Sequence, residues 1–145
     1  MKNIKMNDLL FVILVGLITA TLTGIAVGTV NYLLYTSIGI TMNIFYFFGA
    51  YFIASYIRRQ YEISTRLYQV IAVIMTIHGY FFSYVVFNVF RIGIGSAGSI
   101  LKLFYSFEYV INFFNPIHIF QSGFGRIIEY LFIFIFCYIA YTKTK

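Results

Sequence analysis

Leu9–Thr29, LLFVILVGLITATLTGIAVGT, carries no charged residue and, as a helix, is long enough to cross the hydrocarbon core of a bilayer. Within it Gly16, Ala20, Gly24 and Gly28 recur at every fourth position. That spacing lays them along one side of a helix as a small-residue ridge, against which another backbone can come close. Between lipid-bathed helices the hydrophobic effect gives little net attraction, so close van der Waals contact has to hold them together. Packing inside one chain is the expected use of the ridge, since a four-span chain must pack its own helices first, with self-association as the alternative.

Three more blocks of the same character follow, at 38–57, 67–90 and 122–141. Hydrophobic residues make up 61% of the 145-residue chain and charged residues 10%, against roughly 45–50% and roughly 25% in soluble domains. Lipid, rather than a polar shell, must seal most of such a surface. The expected fold is therefore all-α: a polytopic integral membrane protein, a four-transmembrane-helix bundle forming a single domain over 1–145. Lys2 and Lys5 before the first block also fit the n-region of a signal peptide. The apolar stretch runs on to about Val30 and Thr19-Ala20-Thr21 is a poor cleavage site, so an uncleaved span is expected.

The net charge of +6 would suggest a polyanionic partner in a soluble protein. Here position matters more. Lys2, Lys5, Arg58, Arg59, Arg66, Lys143 and Lys145 all flank spans on one side, which puts both termini and the Arg-bearing connection in the cytoplasm. The expected location is the cell inner membrane or plasma membrane, multi-pass, with no nucleic-acid partner. Val30–Ser37 is the expected first outer connection and holds no Lys or Arg, whereas Arg91, Lys102 and Arg126 fall on the other outer side. The chain has no Trp, so tyrosine supplies the interfacial belt: Tyr32, Tyr35, Tyr105 and Tyr109 outside, Tyr56, Tyr61, Tyr68, Tyr138 and Tyr141 inside. The lone Cys137 reads as a small buried hydrophobe.

In the third span Gln69, Ala72, Thr76, Gly79 and Ser83 alternate by three and four residues, which places a small polar seam on one helical face. Gln69, Thr76 and Ser83 are expected to turn inward and to bond another helix or a backbone carbonyl. With Gly79 they join Gly16, Ala20, Gly24 and Gly28 as expected packing or oligomer-interface residues. His78 lies near the middle of the same span, on the side opposite the seam. An ionisable group at that depth is a candidate functional residue: a neutral imidazole with a partner, a proton relay, a pore-facing group or a haem ligand.

Other chemistry finds little support. Glu62, Glu108 and Glu129 are scattered, so no carboxylate pair is available for hydrolysis. His78 and His118 fall short of a zinc signature, and a haem between them would need the outer segment to fold back. Gly93-Ile-Gly95-Ser-Ala-Gly98 has the glycine spacing of a dinucleotide loop but lacks the strand before it and the acidic residue about 20 positions on. No catalytic, metal or cofactor-binding residue is expected, nor any cofactor.

Residues 99–114 sort into an aromatic apolar side and a polar side, as in a helix lying in the outer headgroup plane and ended by Asn115-Pro116. Arg58, Glu62 and Arg66 are spaced for an ion-pair ladder on the inner side, and Arg126 and Glu129 for a pair at the outer end of the fourth span. The expected function is that of a small membrane subunit acting by contact, as anchor or sensor in a multiprotein system, and not an enzyme. Its partners would be membrane lipid and other membrane subunits or further copies of itself. The alternatives are an oligomeric channel or small transporter, and a haem or quinone redox subunit.

Overall fold

The computed structural model describes residues 6–41, 43–61, 65–92, 107–108, 110–112, 115, 117 and 123–145. Among these the regular structure is entirely helical: α1 (Met6–Ile38), a 3-10 turn (Asn43–Phe45), α2 (Tyr46–Arg58), α3 (Arg66–Ile92) and α4 (Phe124–Lys143). Three of them, α1, α3 and α4, are long and apolar enough to cross a membrane.

The first helix corrects two expected boundaries. It runs through Val30–Ser37, expected as a connection, and ends at Ile38, where the second span was expected to begin. Aromatic contacts with α3 carry it onward: Tyr32 stacks on Phe90 with centroids 5.3 Å apart, and Tyr35 meets Phe87 edge-on at 5.7 Å. The Thr36 hydroxyl bonds the Tyr32 and Leu33 carbonyls at 3.1 and 3.0 Å, so a polar residue sits in the helix without needing water. Gly39 then stops it. Its φ is +72°, a left-handed conformation that favours glycine, and its amide donates to the Tyr35 carbonyl at 3.0 Å. The second apolar block becomes helical only at Asn43, and α2 itself has 13 residues, a rise of about 20 Å.

Parallel packing joins α1 to α3: Gly16 lies beside Met75, Gly24 beside Gly79 and Ser83, and Gly28 beside Ser83 and Val86. A methyl group built on Gly24 would stand 2.8 Å from the Gly79 carbonyl oxygen, and one on Gly28 would stand 2.5 Å from that of Ser83. These neighbours are backbone, which has no rotamer to yield. Both α2 and α4 run the other way, with Ile57 packed at Gly16 and Thr23 at Gly49. Phe136 of α4 meets Tyr46 of α2 at 5.3 Å, and the Lys143 ammonium lies 4.5 Å over the Tyr51 ring.

Tyr46, Ile53, Ile57 and Phe136 are fully buried at the centre. A buried phenol needs a hydrogen-bond partner, and the Tyr46 hydroxyl donates to the Thr76 carbonyl at 2.7 Å. It also occupies the space a Cβ on Gly79 would take. At the Arg58 end the Tyr61 hydroxyl donates to the Thr144 carbonyl at 2.6 Å, and its ring stacks on Tyr68 at 4.3 Å. Burial pushes the Tyr61 phenol above its ordinary range, and the Arg58 guanidinium opposes that shift.

Several expected features lie outside the described residues: the glycine loop 93–98, His118, Glu62 of the ladder and most of the interfacial segment 99–114. Within that segment Phe107, Glu108 and residues 110–112 are helical, and Phe107 lies 6.0 Å from the Phe81 ring.

Candidate functional site

Glu129 stands in the second turn of α4, half-buried between α2 and α3. One carboxylate oxygen, Oε1, accepts from Asn43 Nδ2, and the other, Oε2, accepts from the Tyr80 hydroxyl. Asn43 Nδ2 also donates to the Tyr84 hydroxyl at 2.7 Å, so both its hydrogens are used. An ionised carboxylate only accepts, which fixes the nitrogen of the Asn43 amide toward Glu129.

Local structure supplies each member. Tyr80 and Tyr84 are one helical turn apart on α3, their rings edge-on at 5.3 Å. Asn43 opens the 3-10 turn ahead of α2, where the chain returns after Gly39. Two elements, the 3-10 turn and α3, thus deliver donors to an acid carried by a third. A carboxylate in apolar surroundings is costly unless it is neutralised or supplied with donors, and this one has a donor on each oxygen.

Next to it is a chamber of about 70 Å³ lined by Asn31, Thr41, Asn43, Ser83, Tyr84 and Phe87. That is room for roughly two waters. Asn31 Oδ1, in its wall, is a buried acceptor with no hydrogen-bond partner, and Thr41 is exposed at the end of the molecule where α1 and α3 finish. The chamber therefore leads from that end toward the Asn43–Tyr84 side of the cluster.

His78 lies elsewhere. Its Nε2 is 3.3 Å from Thr21 Oγ1 of α1, and its ring stacks on Phe82 at 5.9 Å. The imidazole thus finds a polar neighbour on α1, beside the contact that Gly24 makes with Gly79. Gln69, Thr76 and Ser83 are buried. Thr76 donates to the Ala72 carbonyl at 2.8 Å and Ser83 to the Tyr80 carbonyl at 2.7 Å, both within their own helix. The backbones of Gly79 and Ser83 are what meet Gly24 and Gly28.

Sequence reasoning set Glu129 beside Arg126 and did not connect it with Tyr80, Tyr84 or Asn43. The i, i+4 tyrosine pair was visible as spacing, but its partner helix was not. No protein-family model, curated protein or solved structure matches the chain.

Proposed function

We propose that the chain is a multi-pass four-span bundle of the cell inner membrane or plasma membrane, with both termini cytoplasmic, acting by contact as an anchor or sensor subunit of a multiprotein system. One observation carries this reading: the interior is filled while the outward faces are apolar. Tyr46, Ile53, Ile57 and Phe136 close the centre, and Leu10, Leu14, Leu22, Leu131, Phe134 and Tyr138 point outward. Such faces suit lipid or another span. The parallel α1 and α3 and the reversed α2 and α4 support a common side for the chain ends, and the cations Arg58, Arg59 and Lys143 gather there. Crosslinking in native membranes, followed by mild-detergent purification and mass spectrometry, is expected to recover a second protein in fixed stoichiometry. A lone monomer would remove the reading.

The Glu129 cluster and its chamber favour a second reading, a small transporter or oligomeric channel that handles protons or small cations. Proteoliposomes of the parent would then pass H⁺, Na⁺ or K⁺. Glu129→Gln would abolish that flux, and His78→Leu, which leaves the cluster intact, would not. A parent without flux ends this reading.

A further inference from the structure

A furrow runs along α2, bounded by the end of α4 at its head and by α1 beyond it. It opens at the Arg58 end as a cavity of about 470 Å³, lined in part by Ser55, Arg58, Arg59 and Lys143. From there it continues over Phe52 and Tyr56 against Ile18 and Leu22, and then over Phe48 and Gly49 against Ala26. Phe52 borders all three hollows and Tyr56 the first two, so they adjoin one another along the helix. From Arg59 to Phe48 the helix rises about 16 Å, which is close to one leaflet of a hydrocarbon core of about 30 Å.

The two ends differ in chemistry. At the head, Lys143 Nζ lies 4.5 Å over the Tyr51 ring and Arg59 Cζ 5.8 Å over the Tyr56 ring, while Arg58 donates to the Tyr61 carbonyl at 2.8 Å. Rings and a carbonyl hold the cations in place and leave their charge uncancelled by these contacts. Farther along, the lining is almost wholly apolar, and Phe48 is 72% exposed.

We propose that this furrow binds one anionic phospholipid, its phosphate held by Arg59 and Lys143 and one acyl chain lying over Phe52 and Phe48 against Leu22. The cationic head selects negative charge, and the leaflet-length apolar run selects a chain attached to it. A soluble phosphate would use only the head, and a zwitterionic lipid would bring a cation to a cationic rim. The proposal rests on the membrane reading but not on contact or transport as the function.

The test is native mass spectrometry of the purified full chain in mild nonionic detergent. It is titrated with phosphatidylglycerol, with phosphatidylcholine of the same acyl chains, and with millimolar inorganic phosphate. One phosphatidylglycerol should be retained in preference to phosphatidylcholine, and inorganic phosphate should not displace it. The double variant Arg59→Gln/Lys143→Gln should weaken retention roughly tenfold or more. Ala26→Trp, which fills the apolar end, should weaken it without touching the head, and Arg91→Gln, a cation at the far end of α3, should leave it unchanged. Circular dichroism confirms that each variant is folded; if the double variant is not, the Ala26→Trp and Arg91→Gln pair still decides. Equal retention of the two lipids, displacement by inorganic phosphate, or indifference to Ala26→Trp would overturn the proposal. Loss of a partner protein would not, because retention is scored on the single chain.

Discussion

Gly79 is closed in from two sides, by α1 and by α2. A Cβ there would stand 2.9 Å from the Ala20 carbonyl oxygen and collide with the Tyr46 hydroxyl that reaches Thr76. Gly79→Ala is therefore expected to cost about 1–3 kcal/mol, read as a lower Tm by circular dichroism in detergent. Gly125 in α4 has nothing within 4 Å of an added Cβ. Gly125→Ala should leave Tm unchanged or raise it, since alanine suits a helix better by about 0.5–1 kcal/mol. Equal melting of the two variants would refute the argument. The small-residue spacing was legible in the sequence because close approach demands small residues whatever the partner. The Glu129 cluster was not, because hydrogen bonds between helices depend on which faces meet, and the chain's local periodicity is silent on that.

At the level of elements, hydropathy located the apolar blocks but misjudged where the first helix stops. Asn31, Thr36 and Ser37 look like connection residues, yet Asn31 is taken into the chamber wall and Thr36 bonds its own helix. Gly39 was the true terminator, and only its φ of +72° reveals this. A β-branched residue there meets a left-handed backbone that costs L-residues roughly 1–2 kcal/mol. Gly39→Val should accordingly speed amide exchange over residues 33–38 while leaving that of Ile53–Ile57 unchanged. Uniform acceleration across the protein would show that the cap governs more than the end of its own helix.

For the whole molecule, the alternating helix directions set the start of α1 and the end of α4 at one end of the bundle, in agreement with the orientation proposed from the charge pattern. Lysines and arginines mark the ends, whereas the helix directions follow from residue-by-residue contacts such as Gly16 with Met75 and Gly28 with Val86. In a Cys137→Ala background, single cysteines at Asn7 and Lys145 should react with an impermeant maleimide from one side of the membrane, and one at Thr41 from the other. Asn7 and Lys145 reacting from opposite sides would break that agreement.

In a four-span bundle of the kind proposed, helices as unequal as these have to be absorbed by the bilayer. α1 has 33 residues and α2 has 13, which correspond to about 50 Å and about 20 Å against a core of about 30 Å. One flank therefore asks the surrounding lipid to stretch, or the long helix to lean, while the other asks it to thin. Around this protein the membrane is expected to pucker, and changing acyl-chain length would ease one side only by straining the other.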